Sequence, residues 1–406
     1  MTKPPHQGFP RRSLSSSSTP YDRTFWLAYV SNGLTTLANA MLVRYADFVA
    51  ELGGEVQQLG LIVGCGMIGS IVMRIVQGEA IDRFGAGRIW RWSICIYVVS
   101  LLLNLALSTA FSPAIFLVRI VMQSSVAGMF GSSITFVSLR VPAPRMAEII
   151  GVLGTSGFIG ICVGPLLSDW VAGSTSDSAV NVARMFWVAD GFALAAAATA
   201  WLATRDEARP TPRRRPHLAY VVRRYLPGVL SLAAAAMGAG LSIPFAFLRP
   251  FAVEMNLGNI GFYFAIYAST AFSARLATRS LFERHGNRPW ILAGLVCLAV
   301  SYLAYIPVTR TWELLFPAAI AGVAHALLFP SIMAAGTSAF PRRFLGVATS
   351  LMLAMFDVGT LVGAPVVGKF LHVAKAQGLP AYPAMWGAAA CAIALVAVAF
   401  WTSRVK

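Results

Sequence analysis

Twelve long apolar runs constrain what this chain can fold into. They cover roughly 25–46, 57–77, 91–110, 113–138, 147–171, 183–204, 227–250, 260–280, 289–309, 312–337, 345–371 and 383–403. Each run approaches the ~20 residues that a helix needs to cross a ~30 Å hydrocarbon core. Because lipid cannot satisfy free backbone polar groups, we expect every run to form a transmembrane helix. We call these predicted helices spans 1 to 12.

The charged residues are few and unevenly placed. They make up 12% of the 406 residues, against about 25% in a soluble domain. The net charge of +16 would suit a nucleic-acid-binding protein, but the basic residues form short clusters between apolar runs. Such clusters are typical of the cytoplasmic loops of membrane proteins. We therefore expect the lipid bilayer as a partner and exclude nucleic acid. The five cysteines all lie inside apolar runs, which favours small core residues over ligands or disulfides.

The distribution of Lys and Arg predicts the orientation and the domains. If the amino terminus is inside, 25 of the 32 basic residues fall in cytoplasmic segments, so both termini are expected in the cytoplasm. We divide the chain into a disordered cytoplasmic tail (1–24), an N-terminal six-helix bundle (25–204), a basic cytoplasmic linker (205–226) and a C-terminal six-helix bundle (227–406). Short loops and the lack of targeting signals indicate a bacterial inner membrane.

A charged stretch occurs once in each half of the chain. Residues 74–90, between spans 2 and 3, recur 201 residues later at 275–290, between spans 8 and 9. The matching pairs are Arg74 and Arg275, Asp82 and Glu283, Arg83 and Arg284, Gly85 and Gly286 and, after a one-residue deletion, Arg88 and Arg288. A second match, around Arg44 and Arg249, precedes the first in both halves. The repeat indicates two homologous membrane halves, an arrangement common in secondary transporters.

The stretch between spans 2 and 3 also resembles a motif of the major facilitator superfamily. That family carries G-x-x-x-D-R-x-G-R at this place, and the chain has Gly78, Asp82, Arg83 and Gly85, with the next basic residue displaced to Arg88. Span 4 is similar to the family's R-x-x-x-G region through Arg119 and Gln123, without its glycine. The resemblance extends over the whole chain after residue 24.

Span 5 resembles the family's antiporter motif, G-x8-G-x3-G-P. The matching residues are Gly151, Gly160, Gly164 and Pro165. In the family this motif is associated with exporters. The resemblance implies an all-α membrane protein of twelve helices in two pseudo-symmetric six-helix bundles. It also implies a monomeric transporter rather than an enzyme, with no cofactor and no metal. The alternative for these glycines is that they only bend and pack span 5.

The repeated stretch is interpreted as a conformational gate. Its members are Gly78, Asp82, Arg83, Gly85 and Arg88, with Arg275, Glu283, Arg284 and Gly286 in the second copy. Charged contacts here that form in one state and break in another would serve alternating access. The alternative is that the arginines merely set the topology.

Charged residues deep in lipid are expensive and therefore informative. His325 and Asp357 each lie about 13 residues into their spans, near the membrane midplane. We predict that they form a proton-coupling pair, because histidine titrates near neutrality and a carboxylate takes up a proton. The alternative is that Asp357 caps backbone groups freed by Gly359 and Gly363 and that His325 is a satisfied core histidine. In span 4, Arg119 either pairs with Asp190 or faces the cavity, where it binds an anion or steers the proton.

Polar residues on one face of span 1 complete the predicted pathway. Asn32, Thr35 and Asn39 follow an i, i+3, i+7 spacing and so share a face. Such a stripe either lines a pathway or bonds neighbouring helices. The predicted substrate and proton pathway consists of Asn32, Thr35, Asn39, Arg119, Gln123, Tyr267, His325 and Asp357.

These features predict a proton-coupled exporter of a small organic molecule. Its partners are the small-molecule substrate and protons. No G-x-x-x-x-G-K-[ST], H-E-x-x-H or G-x-S-x-G sequence occurs, which argues against ATP hydrolysis and enzymatic chemistry. The alternatives are a facilitator or a proton symporter for uptake. A non-transporting membrane sensor is disfavoured, because no appended soluble domain is present to carry a signal.

Overall fold

A computed structural model describes residues 21–141, 145–173, 178–207, 224–278, 286–341 and 345–403. Twelve long helices follow one another over these residues. They are α1 (Arg23–Met41), α2 (Val56–Phe84), α3 (Ala86–Asn104), α4 (Pro113–Ser138), α5 (Met146–Ala172), α6 (Ser178–Thr204), α7 (Gly228–Glu254), α8 (Gly261–Thr278), α9 (Arg288–Leu303), α10 (Leu315–Ser338), α11 (Leu345–Ala376) and α12 (Ala381–Thr402). A 3-10 turn (Leu42–Arg44) and a short helix (Tyr45–Glu51) extend α1.

Most of these helices suit a membrane by length and composition. Over the described residues, nine are long and apolar enough to cross a bilayer, and α1, α8 and α9 fall short of that measure. The helix α9 has 16 residues and the described part of α8 has 18. In α1 the apolar sequence is interrupted by buried polar residues such as Asn32 and Thr36. Spans 1, 8 and 9 are therefore helical as predicted, although they are less apolar or shorter than the others.

The two halves pack in the same way. In the first half, α5 and α6 lie against α1, α2 and α3 lie against α4, and α3 also lies against α6. The same five pairs recur six helices later, among α7 to α12. Between the halves, α2 runs along α11 and α5 runs along α8, which are again symmetric counterparts. The predicted all-helical fold of two pseudo-symmetric six-helix bundles is confirmed.

Small residues bring the helices close together within each half. A Cβ added at Gly160 of α5 would lie 2.7 Å from the backbone nitrogen of Leu37 in α1. At the equivalent contact of the second half, a Cβ added at Gly359 of α11 would overlap the carbonyl oxygen of Ala235 in α7. Close backbone approach at small residues is how membrane helices gain packing energy, since lipid removes most of the hydrophobic drive.

The repeated stretch is mostly helical, which corrects the predicted end of span 2 at residue 77. The helix α2 continues to Phe84, so Gly78, Asp82 and Arg83 lie in its last two turns. Only Gly85 separates α2 from α3, which begins just before Arg88. Gly85 has φ +94°, and its repeat partner Gly286 has φ +69°. Both are conformations that favour glycine.

Two further gate residues, Glu283 and Arg284, lie outside the described residues. Asp82 is half-buried and takes part in a polar or electrostatic contact. Arg83 is exposed and lies 5.2 Å from the ring centre of Phe84. The start of α3 is fixed to the end of α6, because the backbone N–H of Gly87 donates to both carboxylate oxygens of Glu207 at 3.0 Å. The gate role of this stretch stays a prediction.

Candidate functional site

A cavity of about 470 Å³ lies between the two halves. Helices α1, α2, α4 and α5 line it from the first half, and α7, α8, α10 and α11 line it from the second. Its polar side chains are Thr36, Asn39, Arg74, Arg119, Gln123, Ser242, Tyr267, His325 and Thr360. Its aromatic side chains are Tyr45, Phe130, Phe245, Phe329 and Phe356, together with the ring of Tyr267. The size and the mixed lining suit a small amphipathic molecule.

The cavity contains a buried arginine from α4. Arg119 is only 8% exposed, and its guanidinium carbon lies 4.3 Å above the ring of Tyr45. Its Nε and Nη1 atoms have no hydrogen-bond partner in the described part of the chain. Asp190 on α6 is also buried, and among the described residues it forms no ion pair with Arg119. Of the two predicted arrangements, the structure has Arg119 in the cavity wall and not paired with Asp190.

We predicted that Asp357 pairs with His325. In the structure its carboxylate pairs instead with an arginine of the other half. Arg74 Nε lies 2.5 Å from Oδ2 of Asp357, and Nη2 lies 3.4 Å from Oδ1. The hydroxyl of Ser70 donates to the same Oδ2 at 2.6 Å. Ser70 and Arg74 lie one turn apart on α2, and the side chains of Arg74 and Asp357 are 16% and 5% exposed. The pairing follows from the packing of α2 along α11, which the sequence pattern did not reveal.

His325 bonds instead to Tyr267 within its own half. The Tyr267 hydroxyl lies 2.6 Å from Nδ1 of His325, and the two rings stack with centroids 5.7 Å apart. His325 also contacts the rings of Phe158 and Phe329. Arg275, predicted as a gate residue, lies within α8, and its guanidinium carbon is 5.5 Å and 5.6 Å from the centres of these two rings. His325 therefore takes part in an aromatic and basic cluster at the edge of the cavity.

The polar stripe of α1 divides between the cavity and the interior of the first half. Asn39 lines the cavity. The amide of Asn32 donates to the hydroxyl of Ser156 on α5 at 2.8 Å, and the hydroxyl of Thr35 donates to the carbonyl of Ser31 at 2.8 Å. Asn32 and Thr35 are buried and lie outside the cavity lining. Asn32 thus has the alternative arrangement, a bond to a neighbouring helix, because this face of α1 borders α5. Thr35 bonds only within its own helix, which neither alternative described.

The glycines of the predicted antiporter motif differ in their surroundings. Gly160 and Gly164 bring α5 against Thr36, Leu37 and Ala40 of α1. A Cβ added at Gly151 would meet nothing within 4 Å. Pro165 lies inside α5, and its counterpart Pro365 lies inside α11.

Polar contacts join the two halves at one end of the molecule. We call the end where α1 begins the tail end and the opposite end the far end. At the far end, Asp47 accepts from Arg249 Nε at 2.9 Å, which joins the first half to the second. The backbone N–H of Gly261 donates to Asp169 at 2.6 Å, and His372 Nδ1 lies 3.1 Å from Glu55, again across the halves. These contacts join the halves at the far end, where both halves also line a second cavity of about 680 Å³.

Three exposed glycines near the tail end have open space beside them. A Cβ added at Gly151 or Gly154 of α5, or at Gly346 of α11, would meet nothing within 4 Å. By contrast, Gly60 and Gly64, near the far end of α2, press against α11. A Cβ at Gly64 would lie 2.5 Å from Pro365. The interface between α2 and α11 is thus tightly packed near the far end.

Sequence reasoning missed two parts of this site. The first is Arg74, which was noted as a member of the repeat but treated as part of a charged segment between spans, although it lies in the middle of α2. The second is the contact between Asp47 and Arg249 at the far end. The spacing of Ser70 and Arg74 by one helical turn inside an apolar segment could have indicated a buried site. Nothing in the sequence pairs Asp47 with Arg249 across the two halves.

Two pseudo-symmetric six-helix bundles around a cavity that both halves line define a membrane transporter. The model of the Major Facilitator Superfamily matches residues 25–281 and 228–406, which together cover the chain after its first 24 residues. The chain therefore belongs to the major facilitator superfamily.

Solved structures of transporters have the same fold. The nucleoside transporter NupG is 13% identical with a TM-score of 0.75, and the alignment covers 93% of this chain and 98% of that one. The POT family transporter PepTSo is 10% identical with a TM-score of 0.78, and the alignment covers 95% of this chain and 97% of that one. A bacterial homologue of the human lysosomal transporter Spinster is 15% identical with a TM-score of 0.70, covering 95% and 97%. Identities this low show the fold alone. No curated protein sequence matches the chain.

Proposed function

We propose that this protein is a proton-coupled secondary transporter that exports a small organic molecule by alternating access. The observation that carries the proposal is the ion pair between Arg74 and Asp357, which joins the two halves beside the central cavity. Charged groups this deep in a membrane protein are costly and are commonly part of an ion or proton pathway.

The pair connects proton binding to the movement of the halves. Arg74 belongs to α2 and Asp357 to α11, so a rocking movement of one half against the other must stretch or rearrange their contact. Protonation of Asp357 removes its negative charge and therefore the attraction to Arg74. A proton on Asp357 thus favours whichever state separates the two side chains. A binding event that stabilises one of two states in this way is the thermodynamic basis of coupling.

The direction proposed here is loading from the tail end. The contacts of Asp47 and Asp169 with the second half join the two halves at the far end. The excess of Lys and Arg predicts that the tail end faces the cytoplasm. In that orientation the cavity would take its substrate from the cytoplasm, which is the loading side of an exporter. The resemblance of α5 to the antiporter motif of the family favours the same direction.

The proposal is tested by proton flux in proteoliposomes that hold the purified protein and a pH-sensitive dye. A panel of candidate compounds is added in turn to wild type, Asp357→Asn and Asp190→Asn. Asp190 is the matched control, because it is a buried carboxylate in the first half that lies outside the cavity lining. At least one compound should dissipate an imposed pH gradient in proteoliposomes with wild type or Asp190→Asn, and not in those with Asp357→Asn.

Three other results would change the account. Movement of a labelled compound without proton flux would replace the exporter by a facilitator. Equal coupled flux through Asp357→Asn would move the proton site to another residue. Uptake of a compound together with a proton, in vesicles of known orientation, would reverse the proposed direction.

A further inference from the structure

We infer that the central cavity binds an organic monoanion, with its anionic oxygens on Arg119 and its apolar body against the phenylalanines of the cavity. The inference rests on the proposed function only in taking this cavity as the substrate site. It adds the chemical class of the substrate, which neither the fold nor the family defines.

The charge of the cavity wall is the first step. Its described lining residues include two arginines and one histidine, and no aspartate or glutamate is among them. The positive charge of Arg74 is neutralised by the carboxylate of Asp357, which it contacts at 2.5 Å. Arg119 has no such partner among the described residues: Nε and Nη1 are buried and make no hydrogen bond. The wall therefore carries one uncompensated positive charge, which a monoanion would neutralise.

The surroundings of Arg119 are the second step. Its guanidinium lies over the ring of Tyr45. The ring attracts the cation but is neutral, so it does not cancel the positive charge. The stem of Arg119 passes over Gly66 of α2, where an added Cβ would lie 2.8 Å from its Cγ and 3.1 Å from Cγ of Gln123. Gly66 thus leaves the space that both α4 side chains need to lie at the cavity. The donors of an arginine match the geometry of a carboxylate better than those of a lysine.

The rest of the lining indicates the body of the ligand. Phe130 comes from α4 of the first half, whereas Phe245, Phe329 and Phe356 come from the second half. An anion with its head on Arg119 and an apolar body would therefore contact both halves at once. A ligand that bridges the halves is what a rocking transporter needs if binding is to influence their movement. The cavity of about 470 Å³ lies in the size range of small-molecule sites.

Binding at equilibrium tests this inference without requiring transport. The purified full-length protein in lipid nanodiscs is titrated calorimetrically with 2-naphthoate and with its neutral isostere 2-naphthamide. The acid should bind at least about tenfold more tightly than the amide, since hydrogen bonds to a charged group are worth that much. Arg119→Gln should weaken the acid by about 10- to 100-fold and leave the amide nearly unchanged.

Three further variants separate charge recognition from general damage. Arg119→Lys should recover part of the preference for the acid, because it restores the charge without the planar fork. Gly66→Ala should reduce the same preference by displacing Arg119, although it removes no charge. Arg184→Gln is the control, since Arg184 is an exposed arginine of the same half outside the cavity lining, and it should behave like wild type.

Several results would overturn the inference. They are equal affinity for acid and amide, an unchanged preference in Arg119→Gln, and no binding of either compound to wild type. Proton-coupled transport of neutral compounds alone would leave the proposed function standing while contradicting the monoanion. Preference for the acid without proton flux would support the monoanion and contradict the proposed proton coupling.

Discussion

Replacing Asp357 by asparagine is expected to shift the protein away from the state in which α2 and α11 are joined by the contact between Arg74 and Asp357. The carboxylate accepts from Arg74 and Ser70, and the side chains of Arg74 and Asp357 are 16% and 5% exposed. Removing one partner of a buried pair costs about 3–5 kcal/mol. Because Arg74 also borders the cavity, where water can solvate it, we take the lower end, about 3 kcal/mol. That equals a change of roughly a hundredfold in the ratio of the two states.

The shift can be measured as a distance between spin labels at the far end. Suitable positions are Phe111, between α3 and α4, and Trp312, just before α10, which are 62% and 55% exposed and belong to opposite halves. The labels are placed in a chain whose five native cysteines are replaced. Wild type should give mainly a short distance, and Asp357→Asn should add a longer one. Arg74→Gln should do the same.

The double variant decides whether the two residues act as a pair. When both charges are removed, no unpaired charge remains buried, so the combined shift should be smaller than the sum of the single shifts by about 2 kcal/mol. An unchanged distance distribution in Asp357→Asn would refute the reasoning. Fully additive effects of the two substitutions would refute it as well. Asp190→Asn serves as the control and should keep the wild-type distribution.

Three further predictions concern backbone strain, packing and the far end. Gly85→Ala should destabilise the protein by about 1–3 kcal/mol, because φ is +94° there. Gly151→Ala, in open space on α5, should be neutral or slightly stabilising. The melting temperatures of the two variants measure this difference. Gly359→Ala should lower the melting temperature by an amount equivalent to about 1–3 kcal/mol, because its Cβ overlaps a carbonyl oxygen of α7, and an unchanged value would contradict the close packing. Asp47→Asn should weaken the link to Arg249 by about 1 kcal/mol and raise the long-distance population severalfold with the far-end labels.

The architecture was predictable because it depends on features that are local in sequence. Apolar runs of about twenty residues define membrane helices whatever their neighbours are. The repeat of Arg74 at Arg275 and of Gly85 at Gly286 predicted two related halves, and the positive φ of both glycines agrees with it. The end of α2 was placed too early, because a hydropathy pattern stops at the first charges, whereas backbone hydrogen bonding continues to Gly85.

The site was predictable only in part, since it depends on which helices face each other. Asn39, Arg119, Gln123, Tyr267 and His325 line the cavity, whereas their role in a substrate or proton pathway stays a prediction.

The partner of Asp357 could not be inferred in the same way. The depth of His325 and Asp357 in their spans is similar, but depth does not fix the direction of a side chain around its helix axis. The contact with Arg74 requires the packing of α2 along α11, which joins residues 283 positions apart. The stripe of Asn32 and Thr35 was ambiguous for a related reason, because one face of α1 borders both the cavity and α5.

The measurement that tests the central claim most directly is the pH dependence of the far-end distance between labels at Phe111 and Trp312. The claim is that protonation of Asp357 releases it from Arg74 and so permits the halves to move. In wild type, lowering the pH should transfer population from the short to the long distance. In Asp357→Asn, which has no proton to gain at this position, the long-distance population should be high and independent of pH. An equal response to pH in both proteins, or none in wild type, would contradict the claim.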